Sequence, residues 1–71
     1  MKNEITKQIG ERVKKLRKEQ GLTQEALAAR STISLKYIQK IEGKQPPNLG
    51  IVKIQELANG FGIEPWQFLK F

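Results

Sequence analysis

The stretch GLTQEALAARSTISLKYIQKIEGK, residues 21–44, contains one short pattern twice. An apolar residue precedes a hydroxyl residue that can cap a helix, and a second apolar residue follows four positions after the cap. The two copies are Leu22-Thr23 with Leu27 and Ile33-Ser34 with Ile38. This pattern is the hydrophobic staple, which fixes the angle at which a chain enters a helix. Two short helices joined in this way predict a helix-turn-helix, although an ordinary helical hairpin within a bundle is the alternative.

Helical patterns also flank this stretch. The apolar residues before it recur at helical spacing and predict a first helix; they are Ile5, Ile9, Val13 and Leu16. Gly21 suits a left-handed cap at the end of that helix. Residues 23–31 and 34–42 form the second and third helices, and Gly43 can end the third.

The last third of the chain predicts two more helices. Two prolines in KQPPN, residues 44–48, keep that segment from being helical. A fourth helix then begins near Asn48 or Leu49 and ends at Gly62. Its inward-facing residues are Ile51, Ile54, Leu57 and Ala58. Pro65 suits the first turn of a short fifth helix, residues 65–70. Because no segment alternates with period two, the predicted fold class is all-α.

Length and composition exclude several classes of protein. A chain of 71 residues suits a single domain over 1–71. It contains no cysteine and no histidine, so neither a disulfide nor a Cys/His zinc site is expected. Without these residues no catalytic constellation is visible, and we expect no enzyme, cofactor or metal. The N-terminal MKNEITKQIG has no apolar run typical of a signal peptide. The expectation is a cytoplasmic protein without a membrane span.

Positive charge is concentrated in the first two-thirds of the chain. The net charge is +6, and residues 1–22 carry seven Lys/Arg against three Glu. Residues 23–47 carry four against two, whereas residues 48–71 carry two against two. A basic surface favours nucleic acid or an anionic membrane as partner. Ordinary solvated charge is an equally good interpretation of the charge alone.

The residues of the two central helices resemble the helix-turn-helix of the phage-repressor/Cro family, also called XRE. The matching elements there are Gly21-Leu22-Thr23-Gln24, Leu27-Ala28, Ile33-Ser34, Tyr37-Ile38 and Ile41-Glu42. Further on, Leu57-Ala58 and Phe61-Gly62-Ile63 match the closing pattern of the family. The resemblance covers roughly residues 8–69, and a spaced pattern of this length is more specific than a single short motif.

This resemblance implies a five-helix, lambda-repressor-like bundle with the helix-turn-helix at about residues 23–42. It further implies a sequence-specific regulator of transcription, a repressor, that binds double-stranded DNA with helix 34–42 in the major groove. The alternative is a protein-interaction module or an antitoxin that keeps the fold without specific DNA binding of its own. Such a module would carry acidic or bulky residues on the third helix, where this chain has Lys36, Gln39 and Lys40.

The resemblance also assigns candidate DNA-binding residues. The residues on or near the outer side of helix 34–42 are Ser34, Leu35, Lys36, Tyr37, Gln39 and Lys40. Lys36 can donate to guanine O6 and N7, Gln39 can pair with adenine, and Leu35 can contact a thymine methyl group. The family position of Gln24 grips the DNA backbone, and a helix N-terminus favours phosphate. Lys44 and Gln45 follow the third helix, where the family often makes further phosphate contacts.

Four positions carry structural expectations. Arg17 and Glu42 match an ion pair found in some relatives, so they are assigned to structure and not to binding. Thr32 stands where the family usually has a glycine in the turn, and a β-branched residue with positive φ is strained. Gly60 lies inside the fourth helix, where it costs up to about 1 kcal/mol relative to alanine.

The C-terminal end is rich in aromatic residues. Trp66, Phe68 and Leu69 cannot all be buried by one short helix on so small a domain. We therefore expect a homodimer through the aromatic end, formed by Trp66, Phe68 and Phe71, because aromatic residues are enriched at interfaces. For Trp66 and Leu69, capping of the monomer core is an equally good interpretation.

Overall fold

A computed structural model describes residues 4–70, and this part of the chain is all-helical. The five helices are α1 (Glu4–Glu19), α2 (Gln24–Ser31), α3 (Leu35–Ile41), α4 (Ile51–Phe61) and α5 (Pro65–Phe68). The predicted all-α class and the five-helix bundle are confirmed. The core is one cluster to which all five helices contribute, and its fully buried members include Val13, Leu27, Ile38, Leu57 and Phe68.

Both central helices begin at their predicted caps. The Thr23 hydroxyl oxygen accepts a hydrogen bond from the Ala26 N–H at 3.0 Å, and the Ser34 oxygen accepts from the Tyr37 N–H at 3.1 Å. Both cap residues have extended backbone, as an N-cap requires. α3 ends at Ile41 with Glu42 as its C-cap, and Gly43 directly follows, where the sequence predicted the end of this helix.

The turn between α2 and α3 passes through Thr32, which has a left-handed backbone with φ 62°. Thr32 is the one non-glycine residue with positive φ in the described chain. The turn therefore has the left-handed conformation that favours glycine, although its residue is threonine. The side-chain oxygen of Ser31 accepts from the Ile33 N–H at 3.3 Å, and the Thr32 hydroxyl donates to the Ser31 carbonyl. These bonds hold α3 at a defined angle to α2.

Two glycines permit close helix contacts. A Cβ at Gly60 would lie 2.8 Å from the Cβ of Ser31 and 3.1 Å from its Cα, so Gly60 lets α4 approach the end of α2. A Cβ at Gly10 would collide with the Ile41 carbonyl oxygen. Gly10 thus brings α1 against the end of α3. The expectation that Gly60 only lowers stability was incomplete, because its missing side chain is what the packing requires.

Three details of the predicted helices are wrong. Ile5 is 49% exposed, and Thr6 and Gly10 occupy the inner face of α1 in its place. α4 begins at Ile51 after the cap residue Gly50, later than predicted, and Ile51 is 82% exposed. A residue in the first turn of a helix can point away from the core even where the later residues follow the apolar stripe.

The predicted interface role of Phe68 is also wrong. Phe68 is 0% exposed, and its ring stacks on Phe61 with 6.2 Å between the ring centroids. The guanidinium of Arg12 donates to the carbonyl oxygens of Phe68 at 3.0 Å and Gln67 at 2.9 Å. Arg12 thereby joins the end of α5 to α1 and holds Phe68 in the core. α5 ends at Phe68, two residues before the predicted 70.

Candidate nucleic-acid interface

The outer face of α3 carries the polar residues predicted for base contacts. Lys36, Gln39 and Lys40 are exposed, and Leu35 is half-buried at the edge of the same face. Their spacing of three and four residues places them next to one another on a helix. Ile38 and Ile41 on the opposite face are fully buried. None of the seven residues of α3 is acidic, so the outer face is positively charged.

Ser34 and Tyr37 combine structural contacts with exposed polar atoms. The Ser34 oxygen caps α3, and its exposed hydroxyl keeps a proton that it can donate. The Tyr37 ring packs against the core, and the Lys53 ammonium of α4 lies 5.4 Å from the ring centroid. Lys53 also lies 3.5 Å from Glu56. These contacts restrain the Tyr37 side chain.

The predicted pair of Arg17 and Glu42 is present and includes a third side chain. Arg17 donates to Glu42 from Nε at 2.7 Å and from Nη2 at 3.0 Å, and its Nη1 donates to the Leu22 carbonyl at 2.9 Å. The side-chain amide of Gln24 donates to Glu42 Oε1 at 3.1 Å. The hydrogen bond to Glu42 raises the pKa of Arg17 above its ordinary value. The guanidinium therefore stays charged.

Lys44 and Gln45 adjoin basic residues of α1 that sequence reasoning left out of the site. A groove of about 370 Å³ lies between α1 and the segment after α3. Its basic side chains are Lys7, Lys14 and Lys44, its acidic ones are Glu11 and Glu42, and Gln45 lines the adjoining part. We call this the α1 groove. The seven-residue spacing of Lys7 and Lys14 is two helical turns, a signal that could have identified them as one face.

Large apolar side chains are exposed at the other end of the sequence. They are Ile51 and Val52 in the first turn of α4, Trp66 in α5, and Leu69 just after it. Trp66, a predicted interface residue, is 64% exposed, so it does not cap the core. Phe71, also predicted there, lies outside the described residues. Aromatic side chains such as that of Trp66 are enriched at protein interfaces.

Two short helices, capped by Thr23 and Ser34, and the exposed basic face of α3 define a helix-turn-helix protein. A family model described as a helix-turn-helix domain matches residues 10–70. The chain belongs to this helix-turn-helix family, and its resemblance to the XRE type is confirmed. Within residues 4–70, no helix is long and apolar enough to cross a bilayer.

Similar proteins include regulators and restriction-modification controllers. An uncharacterized HTH-type transcriptional regulator, y4dJ, of Sinorhizobium fredii is 36% identical over 61 residues, covering 84% of this chain and 77% of its own. The crystal structure of the restriction-modification controller protein C.AhdI from Aeromonas hydrophila is 33% identical with a TM-score of 0.81, covering 89% of this chain and 94% of its own. The controller C.Esp1396I is 30% identical with a TM-score of 0.85, at 94% and 86% coverage.

Proposed function

We propose that this chain is a sequence-specific regulator of transcription that binds double-stranded DNA and reads the major groove with α3. The observation that carries the proposal is the outer face of α3. This face exposes Lys36, Gln39 and Lys40, and no residue of the helix is acidic. The opposite face of α3 is fully buried in the core. Side chains that must discriminate bases need such a rigid support.

In this proposal the outer face divides into base contacts and backbone contacts. Lys36 donates to guanine, Gln39 pairs with adenine, and half-buried Leu35 contacts a thymine methyl group. Lys40, one turn after Lys36, extends the same face. The proposed phosphate contacts are Gln24, Ser34, Tyr37, Lys44 and Gln45. Phosphate contacts position a protein on the duplex, whereas base contacts select the sequence.

We further propose that the protein acts as a homodimer and a repressor. The exposed apolar side chains available for a subunit interface are those of Trp66, Ile51 and Val52. Phe68 is buried, so it is not part of the proposed interface. A two-fold dimer would place two α3 helices about 34 Å apart, one DNA turn. The likeness to C.AhdI and C.Esp1396I supports a role in control of restriction-modification genes.

The alternative is a protein-interaction module or antitoxin without DNA specificity of its own. Two exposed lysines and a glutamine on α3 oppose it, because a contact surface for another protein would be depleted in lysine. A selection for sequence preference separates the two functions, since only the regulator enriches particular DNA sequences.

The test is selection of bound sequences from random duplex DNA, followed by titration of the selected duplex at several salt concentrations. We expect enrichment of a two-fold symmetric sequence and an affinity that falls steeply with salt. Lys36→Ala should change which bases are enriched, whereas Gln24→Ala should weaken binding to all sequences about equally. Absence of any enrichment, together with salt-independent binding, would exclude the proposed function. Uniform weakening by both variants would instead remove Lys36 from the base contacts.

A further inference from the structure

The carboxylate of Glu42 is the acceptor for two different side chains. Its side chain is 4% exposed, and its two oxygens accept from Arg17 at 2.7 and 3.0 Å. Oε1 also accepts from Gln24 Nε2 at 3.1 Å. Bonds to Arg17 account for an ordinary ion pair. The bond to Gln24 connects that pair to a side chain of the candidate interface.

A carboxylate fixes which way a neighbouring amide faces. An ionised carboxylate can only accept hydrogen bonds, so the NH₂ end of Gln24 must point toward Glu42. The amide nitrogen carries a second N–H, for which no acceptor exists among residues 4–70. Rotation of the amide by 180° would turn its oxygen toward the carboxylate and lose the bond. Glu42 therefore selects one of the two amide orientations before any ligand binds.

The orientation matters because phosphate accepts hydrogen bonds and repels acceptors. In the orientation held by Glu42, Gln24 can donate its remaining N–H to a phosphate oxygen. The flipped amide would present its oxygen instead. Arg17 contributes by neutralising the carboxylate through two bonds, so that Glu42 does not repel the same phosphate.

We propose that Glu42 is a positioning residue for DNA binding: it holds the Gln24 amide in the orientation that donates to the DNA backbone. Arg17 keeps Glu42 in place and compensates its charge, and its bond to the Leu22 carbonyl sets the start of α2 against the end of α3. This inference rests on the proposed function. It gives Glu42 a role in binding beyond the structural one expected from the sequence.

A double-mutant cycle on DNA affinity tests the proposal. Glu42→Asp keeps the charge but shortens the side chain by one methylene, so it cannot reach both Arg17 and Gln24 from the same position. Gln24→Ala should weaken binding about 10-fold in the native chain, the size of one hydrogen bond to a charged group. In the Glu42→Asp background it should weaken binding less than about 2-fold, because the oriented contact is already lost.

Lys36→Ala provides the matched control for this cycle. Lys36 makes no contact with Glu42, so its variant should lose the same factor in both backgrounds. Equal losses for Gln24→Ala in the two backgrounds would overturn the positioning role. Binding in Glu42→Asp that matches the native chain would overturn it as well.

Relaxation of the glutamine side-chain amides, measured by NMR on the native chain without DNA, tests the same orientation without any substitution. The Gln24 amide should be ordered, whereas the exposed Gln39 amide should be mobile on the nanosecond timescale. Equal mobility of the two amides would overturn the proposal.

A native chain that binds no duplex DNA would refute the proposed function and this inference together. If the chain does bind DNA but the effects of the two substitutions in the cycle are additive, only the inference is refuted.

Discussion

The backbone of Thr32 is the strongest conflict between residue type and conformation in the described chain. Its φ of 62° lies in the left-handed region, which costs an L-residue with a Cβ about 1–2 kcal/mol. The side chain is exposed, so little packing compensates for the strain. Thr32→Gly should therefore raise the free energy of unfolding by about 1 kcal/mol, after allowance for the greater freedom of glycine in the unfolded chain. Urea denaturation measures this change.

Gly62 provides the opposite substitution as a control. It has φ 73°, and a Cβ there would meet no atom within 4 Å, so Gly62→Ala changes the backbone preference without a steric clash. We expect a loss of about 1–2 kcal/mol. A stability of Thr32→Gly equal to or below that of the native chain would show that the turn is not strained by its threonine.

At the scale of the helices, the close contact between α2 and α4 depends on a missing side chain. Gly60→Ala should improve the helix propensity of α4 by about 1 kcal/mol. The added methyl group would nevertheless lie within 3.2 Å of three atoms of Ser31, two of them backbone atoms. We expect a net loss of about 1–3 kcal/mol in thermal or urea unfolding. The control is Asn59→Ala at the exposed neighbouring position, which should change stability by less than about 0.5 kcal/mol. A Gly60→Ala variant more stable than the native chain would contradict the packing argument.

The cap of α3 can be separated from its contact with DNA. Ser34→Ala removes the acceptor for the Tyr37 N–H and should cost about 1 kcal/mol of stability. Ser34→Asp keeps a good cap, so stability should stay near that of the native chain. Its negative charge should nevertheless weaken DNA binding at low salt, because Ser34 is exposed at the start of the proposed reading helix. Unchanged affinity for Ser34→Asp would place Ser34 away from the phosphates.

Local signals explain what could be predicted from the sequence. Thr23, Ser34 and Pro65 mark helix starts through bonds and steric effects within a few residues, so the helices they open were predicted. Phe68 was assigned wrongly because its ring packs in a core that all five helices share, and the bond from Arg12 to its carbonyl spans 56 positions. No local pattern encodes such a contact.

The candidate site divides in the same way. The outer face of α3 follows from helical spacing and family resemblance. The bond between Gln24 and Glu42 joins residues 18 positions apart. It requires the packed arrangement of α2 and α3, because the sequence specifies the two side chains but not the direction of the amide.

Over the whole molecule, basic side chains are found beyond α3, on the neighbouring face of α1. Lys7 and Lys14 line the α1 groove beside Lys44, next to the end of the proposed reading helix. If phosphates lie along this groove, Lys7→Ala or Lys14→Ala should each lower the slope of log affinity against log salt by about 1. Lys15→Ala is the control, since Lys15 lies on another side of α1 with Gln8 and Arg12. An unchanged slope for both groove variants would confine the DNA contacts to α2, α3 and the segment after α3.

Subunit association is the other property of the whole molecule that the exposed apolar residues predict. Trp66→Ser removes a side chain that is 64% exposed, so it should leave the fold intact and shift the protein from dimer to monomer in sedimentation equilibrium. Phe68→Ser is the contrasting variant, because that ring is fully buried and its loss should unfold the chain at a cost of about 3–5 kcal/mol. A monomer should lose affinity for the two-fold symmetric duplex while binding a single half-site as the native chain does, since only the symmetric site gains from two linked α3 helices. A Trp66→Ser variant that remained dimeric would move the interface elsewhere on the surface.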